Sequence, residues 1–299
     1  MLILVLGSAA GGGYPQWNCR CPVCALAWAG DPRVRARTQS SLAVSADGVS
    51  WTLLNASPDL RQQILGTPAL HPKGASRASP IKSVILTNGD VDHIAGLINL
   101  REGQAFDLYG SGATLGLIAA GSVFGVLNPA LVKKRAFALG QPLDLPGGLR
   151  VTPFAVPGKA PLFLEGDAPV IGEENENTIG LEIAHGGKRF VYAPGCARVT
   201  AKFLARLDGA DALFFDGTTF TDDEMPALGL SPKTAARMGH LAIDGPSGSL
   251  KAFAGAQVGQ KIYIHINNTN PILVDGSDAR KAVEAEGWSV AWDGMELAL

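Results

Sequence analysis

The sequence predicts an α/β fold in which two mixed β-sheets pack face to face with helices outside, an αββα sandwich, and three observations predict it. Apolar runs of strand length recur along the whole chain. Segments with helix-start signals are interspersed among them. Several strands end in polar or histidine-bearing turns, at Asp90–His93, Asp216 and His265–Asn268, which gathers reactive groups on one rim of a layered fold. No internal repeat and no low-complexity linker interrupts the 299 residues, so one domain over 1–299 is expected.

The elements follow in order. Leu2–Leu6 reads as a strand and Gly7–Gly13 as a glycine-rich loop. That loop invites a dinucleotide site, but Ala9 stands where G-x-G-x-x-G needs its second glycine, and a cysteine-rich loop follows instead of a helix. Strands are expected at Ser41–Ser45 and Trp51–Asn55, after which Ser57-Pro58-Asp59 starts a helix over Leu60–Leu65. A Pro/Gly/Ser-rich loop spans Thr67–Pro80. Ile81–Leu86 is a buried-type strand that runs into the polar turn Thr87–His93 and a helical segment Ile94–Leu100. Strands fit Leu149–Ala155, Thr178–Ala184 and Phe190–Ala193, with Pro157–Glu176 as an extended loop between them. A helix at Ala201–Leu207 precedes a strand at Ala212–Phe215. Helical segments at Ala235–Met238 and Gly248–Ala254 precede the buried strand Lys261–Ile266. A helix at Asp278–Glu286 and a strand at Trp288–Trp292 close the chain.

Composition excludes several classes. Hydrophobic residues make up 46% and charged residues 17%, too apolar for a disordered chain. The balance of 25 basic against 27 acidic residues leaves no broad basic face for nucleic acid. No apolar run reaches the ~18–20 residues of a membrane span. Leu2–Leu6 lacks the basic stretch of a signal peptide, the first arginine being Arg20, so a cytoplasmic protein with reduced cysteines is expected.

Five histidines and four cysteines are the raw material for metal chemistry. Cys19, Cys21 and Cys24 place three thiols within six residues. Thiolates favour zinc, and a closed tetrahedral site needs a fourth ligand, for which His265 and Asn268 are the candidates. The alternative is buried free thiols or a disulfide within the motif. Cys196 reads as a solitary core thiol. Asp90, Asp92 and His93 share one tight turn, which is costly unless a cation neutralises the carboxylates. The alternative is an N-cap, by Asp92 or Asp90, for a helix from Ile94. His240 follows Gly239, and His265 ends a buried strand. His71 and His185 lie in loop and turn contexts and are expected to be solvent-exposed and inert. There is no G-x-S-x-G elbow and no P-loop.

These residues carry a resemblance. Thr87-Asn88-Gly89-Asp90-Val91-Asp92-His93, continuing to Gly96-Leu97, resembles the T-H-x-H-x-D-H-x-x-G-L signature of the metallo-β-lactamase superfamily. Asn88 and Asp90 replace its first two histidines. The Cys-x-Cys-x-x-Cys motif, Gly239-His240 and the late strand ending in His265 are similar to features of its phosphodiesterase and tRNA-processing branches. More closely, the chain resembles the pyrroloquinoline quinone (PQQ) biosynthesis branch over essentially its whole length. The stretches that carry this are Val5–Gly13, Gln16–Cys19, Ala36–Ser41, Asn55–Asp59, Met238–Leu241 and Ile264–Leu273.

The departures bear on the metal. Tyr192–Gly195 lacks the acid of the superfamily's Tyr-x-Gly-Asp segment, and Thr152–Pro157 contains no third-motif histidine. This disfavours a two-metal hydrolase. Asp92, His93 and one or two of His240 and His265 remain, with Asp90 and Asp216 nearby. Two imidazoles, one carboxylate and open positions suit mononuclear non-haem Fe(II) and O2. The resemblance implies the same: an iron- and O2-dependent hydroxylase acting on the tyrosine ring of a Glu-Tyr-derived intermediate, beside a structural zinc. Asp90, His93 and His240 are the expected catalytic residues, with Asp90 or His240 handling protons or orienting the phenol. A zinc-dependent hydrolase and a non-catalytic carrier of PQQ are the alternatives. The resemblance puts His265 at the active metal and Asn268 at the cysteines, whereas ligand chemistry favours His265 as the fourth zinc ligand; both assignments stay open. Other PQQ biosynthesis proteins are expected partners, nucleic acid and membrane are not, and a homodimer remains open.

Overall fold

The computed structural model describes residues 1–74, 77–166 and 169–299. The parts of the loops expected over Thr67–Pro80 and Pro157–Glu176 that fall on 75–76 and 167–168 lie outside the described residues. The chain lays down β1 (Leu2–Gly7), β2 (Ser41–Ser45), β3 (Trp51–Leu54), β4 (Ile81–Ile85), β5 (Phe106–Gly110) and β6 (Val132–Ala136). Then follow β7 (Leu143–Asp144), β8 (Arg150–Lys159), β9 (Ile171–His185), β10 (Lys188–Ala193), β11 (Ala210–Asp216), β12 (Val258–Ile264), β13 (Trp288–Val290) and β14 (Glu296–Ala298). One seven-stranded sheet has the order β14-β1-β2-β3-β4-β5-β6 and the other β13-β12-β11-β10-β9-β8-β7.

Two-residue alternation assigns the layers. Phe190 and Tyr192 of β10, Ala212 and Phe214 of β11, and Ile262 and Ile264 of β12 face the first sheet. There they meet Ile3, Val5, Leu42, Val44, Leu54 and Ile85. Their neighbours Val191, Ala193, Leu213, Phe215 and Tyr263 face outward, beneath Phe203, Phe253 and Val283. The outer face of the first sheet buries Leu4, Leu53, Val84 and Leu108 beneath Leu60, Leu97, Leu115 and Ile118. Each fully buried side chain of this size contributes about 1.5–3 kcal/mol, so three apolar layers hold the two sheets and their helices together.

Strands β3 to β6 run parallel, as do β10 to β13. The carboxyl ends of β4, β11 and β12 therefore open on one rim, where ligands of parallel sheets are met. Gly7 serves packing: a Cβ there would stand 2.1 Å from the Gln39 carbonyl oxygen, and Ala9 bridges to both Gln39 and Ile266. No helix of the described residues is long and apolar enough to cross a membrane.

The structure corrects three expectations. Pro157–Glu176 is not a continuous loop, because β8 runs on to Lys159 and β9 begins at Ile171. Pro157 opens the expected loop, whereas Pro153 lies within the strand expected at Leu149–Ala155. Their carbonyls, however, accept from Gly140 and Ala197 rather than from β9, so each proline turns its missing N–H away from the ladder. The turn after β4 becomes helical at Val91–Ile94 and then tightens to a 3-10 helix over Ala95–Leu100. Asp90 holds the cap position without a side-chain cap bond. His71 and His185 are half-buried, each bonded to a backbone carbonyl, of Leu65 and Gly148 respectively.

Candidate functional site

Four turns deliver the donors. The turn after β4 carries Asn88, Asp90, Asp92 and His93. β11 ends at Asp216, two residues before Thr218. Gly239 closes the short helix Ala235–Met238 in a left-handed conformation and hands on to His240. His265 follows β12 with a φ of 57°, a left-handed conformation uncommon for a residue with a Cβ. The kink breaks the strand's alternation: Ile264 faces the inter-sheet core, while Ile266, two residues on, packs in the outer layer.

Donor atoms of Asp92, His93 and His265 converge within 4.8 Å of one another, as do those of Asp216, His240 and His265. The hydrogen bonds distinguish the two groups. Asp216 is saturated. One of its oxygens accepts the Thr218 N–H and O–H at 3.1 and 2.7 Å, and the other accepts the Cys196 N–H at 2.9 Å and His240 Nδ1–H at 2.7 Å. It therefore acts as the carboxylate that orients His240. His93 is held differently. Asn88 Oδ1 accepts the Asp90 N–H at 3.0 Å and His93 Nδ1–H at 2.7 Å. This fixes the tautomer and leaves the His93 Nε2 lone pair facing inward. Thr218 Oγ1 lies 2.9 Å from His265 Nδ1, so the Nε2 of that ring also points to the rim, 3.0 Å from Asp92 Oδ2.

Electrostatics show what this arrangement lacks. Burial would raise the Asp92 pKa, but His93 and His265 beside it hold its carboxyl well below the ordinary range. Burial drives His93 down to about 4 despite Asp92, so the ring is neutral at pH 7. Its Nε2 is buried without a hydrogen-bond partner, 4.0 Å from Asp92 Oδ2. Two electron-rich atoms facing each other in a dry place are costly unless a cation lies between them. Burial disfavours protonated His265, yet its bond to Asp92 and that residue's charge prevail and raise its pKa. A proton there stands in for a cation. The residues therefore fit a metal ion held by Asp92, His93 and His265. Asp90 lies outside both donor groups; burial and then Asp92 raise its pKa, and one oxygen accepts the Leu162 N–H at 3.1 Å.

These groups line a cavity of about 310 Å³ that also receives Gly11, Lys159, Glu165 and Lys233. A larger cavity of about 720 Å³ also touches His240 but contains none of the other donors, so the chemistry belongs to the smaller one.

The thiols form a second, closed site. Cys19, Cys21 and Cys24 are buried, and the Asn268 carboxamide nitrogen lies 3.2, 3.8 and 3.3 Å from their sulfurs. A tetrahedral zinc site with ~2.3 Å bonds to sulfur and ~2.0 Å to its fourth ligand spaces those vertices ~3.5 Å apart. The Asn268 side chain thus stands at the distance of a fourth vertex, while His265 faces the open rim. Burial raises Cys21 to about 12 and also lifts Cys24, so thiolates form here only with a cation to stabilise them. Cys196 is a buried core thiol whose backbone N–H also supports Asp216.

Of the residues singled out by sequence reasoning, the fold brings Asp92, His93, Asp216, His240 and His265 together at this rim and gathers the three thiols in the separate closed pocket. It missed Asn88 and Thr218 as holders of the imidazoles, and Lys159, Glu165 and Lys233 in the cavity. Asn88 could have been found, since a carboxamide five residues before a metal-facing histidine can reach its ring.

Residues 50–266 match a beta-lactamase superfamily domain. The chain is 56% identical over 299 residues to coenzyme PQQ synthesis protein B of Methylobacterium sp. (strain 4-46), covering 100% of both. It is 54% identical over 303 residues to that of Xanthomonas campestris pv. campestris (strain B100), again covering 100% of both. The crystal structure of Zn(2+)-bound PqqB from Methylobacterium extorquens matches with a TM-score of 0.98 and 54% identity over 100% of both chains. A diphosphatase of the PhnP family, at 21% identity and a TM-score of 0.70 over 100% of this chain and 97% of that one, shares the fold.

Proposed function

Because the chain belongs to the coenzyme PQQ synthesis protein B family and has the metallo-β-lactamase fold, we propose that it acts in PQQ biosynthesis as an iron- and O2-dependent hydroxylase. Its substrate is the tyrosine ring of a Glu-Tyr-derived intermediate. The observation that carries this reading is the convergence of Asp92, His93 and His265, with an orphaned imidazole nitrogen, on an open cavity. Two imidazoles and one carboxylate with free positions form the donor set that suits mononuclear non-haem Fe(II). Fe(II) bound there would supply the activation of O2.

The protein's own residues do the rest. Asn88 and Thr218 orient the Nε2 atoms of His93 and His265. Asp216 fixes His240 with its proton on Nδ1 and frees Nε2 to accept the phenolic proton of the substrate. Asp90 stands across the same cavity as a second proton-handling group. Zinc is assigned to Cys19, Cys21, Cys24 and Asn268, where a closed four-ligand set serves the fold.

The test is anaerobic reconstitution with Fe(II), then addition of the Glu-Tyr-derived substrate, O2 and a two-electron chemical reductant. The expected product is heavier by one ring oxygen, the second oxygen atom leaving as water. No such product from folded, metal-loaded protein contradicts the proposal. Zinc-dependent, O2-independent bond cleavage identifies a hydrolase instead. Tight PQQ binding that survives His93→Ala, with no turnover, identifies a carrier.

A further inference from the structure

The cavity at the rim contains charges that neither metal site uses. Lys159, Glu165 and Lys233 line it beside Asp92 and the three histidines. Lys159 Nζ lies 2.6 Å from Glu165 Oε1, and an Arg237 nitrogen lies 3.0 Å from Glu165 Oε2. One carboxylate is thus shared by two cations, and Lys233 makes no ion pair among the described residues. The Glu165 side chain is only 6% exposed, yet its Oε1 has no aligned hydrogen-bond donor. The Lys159 ammonium instead donates to the Ala160 carbonyl at 3.2 Å. The Lys159–Glu165 contact is therefore a charge pairing that leaves hydrogen-bonding capacity unused on the carboxylate side.

Glu165 rides on the connection between β8 and β9. Pro161 is buried against Gly89, but Leu162, Phe163 and Leu164 that follow it are each more than half exposed, so these three side chains add little apolar anchoring. Two polar links tie it over the cavity mouth: the Leu162 N–H to Asp90 and Glu165 to Lys159 and Arg237. On the other side, the Lys159 stem packs on Gly239, where a Cβ would stand 2.9 Å from its Cγ. This close approach holds the lysine next to His240.

We propose that Lys159 and Lys233 form a carboxylate-binding subsite beside the metal-facing group, and that Glu165 is its internal occupant, displaced from Lys159 when an anionic ligand enters. A lysine this buried is costly to leave unpaired, so the carboxylate of an incoming ligand takes over the charge that Glu165 releases. Charge-assisted hydrogen bonds to two ammonium groups favour a dicarboxylate over a neutral analogue. This deepens the proposed function and rests on it in one respect: the glutamyl part of a Glu-Tyr-derived molecule would lie on the lysines while its ring faces Asp92, His93 and His265.

The experiment is calorimetric titration of the zinc-loaded, iron-free protein with glutarate and with its neutral isostere glutaramide. Glutarate is expected to bind about tenfold or more tightly than glutaramide. Lys233→Gln and Lys159→Gln should each reduce glutarate affinity by about tenfold, and Glu165→Gln should tighten it severalfold. Melting temperatures of the variants confirm that each is folded. Equal binding of glutarate and glutaramide, or unchanged affinity in both lysine variants, overturns the subsite. Weaker binding by Glu165→Gln makes Glu165 a strut that positions Lys159 and overturns the displacement. No iron and no turnover enter the titration, so it succeeds or fails independently of the hydroxylase assay.

Discussion

Only two residues separate His265 from Asn268, yet the first faces an open cavity and the second closes a buried thiol pocket. The contrast runs through every physical property of the two sets. At the thiols, three sulfurs face the Asn268 carboxamide, and all four residues are buried. At the rim, two imidazoles and a carboxylate cover one side of a point, and a cavity of about 310 Å³ covers the other. A closed set stabilises, and an open set leaves room for chemistry. The left-handed backbone at His265 allows one turn to feed both, since it releases the segment from strand alternation before Asn268 arrives.

If that contrast is correct, the largest effect comes from breaking the closed set. Cys21→Ser should lose its zinc and lower the melting temperature by more than about 10 °C, because metal-binding energy is folding energy there. Metal analysis and thermal unfolding check this, and unchanged values would mean that the thiols merely pack. Breaking the open set should do the reverse. Asp92→Ala and His93→Ala should keep the thiol-site zinc and most of the thermal stability while the proposed hydroxylation falls by about 10³-fold or more.

A third variant probes the turn that the two sites share. Glu224 lies beneath it, accepting the Thr269 hydroxyl and, at 2.6 Å, the Phe220 N–H. Burial raises its pKa from 4.5 to about 7. Between those values the folded chain holds a proton that the unfolded chain has lost, so this group's contribution to stability falls as pH rises through the window. Glu224→Gln should therefore gain on the parent between pH 4 and pH 8, by on the order of 3 kcal/mol. Parallel stability-versus-pH curves would show that Glu224 does not titrate as described. The smallest effect belongs to Asn88→Ala. It removes the acceptor for His93 Nδ1–H and should weaken metal binding at the rim by about 10- to 100-fold, with the thiol zinc untouched. Competition with a chelator measures both.

The closed set was the more legible in the sequence, because Cys19, Cys21 and Cys24 are local and their spacing alone implies a tetrahedron. The residue opposite them was not, since residue type favours His265 and only the backbone turn brings Asn268 to the sulfurs. The rim was legible in part. Asp216 ends one strongly apolar strand, His265 directly follows another, and His93 closes the turn after a third; that pattern survives without a structure. Lys159, Glu165 and Lys233 carry no such mark. They lie at least 66 residues from Asp92 and His93 and meet them only because the sheets pack. The fold shows the same division. Alternation in β10, β11 and β12 announces two buried faces, whereas β6 reads Val-Lys-Lys-Arg-Ala with four exposed residues and offers no period. Pro157 reads as part of a loop because a sequence does not show which side of a strand lacks a neighbour.

Anomalous scattering at the iron and zinc absorption edges, from crystals of protein loaded anaerobically with Fe(II), tests the two-site account most directly. The account predicts a zinc peak among Cys19, Cys21, Cys24 and Asn268, and a separate iron peak bonded to Asp92, His93 and His265. A zinc ion bound by the three cysteines together with His265, or an empty rim after iron loading, would contradict it.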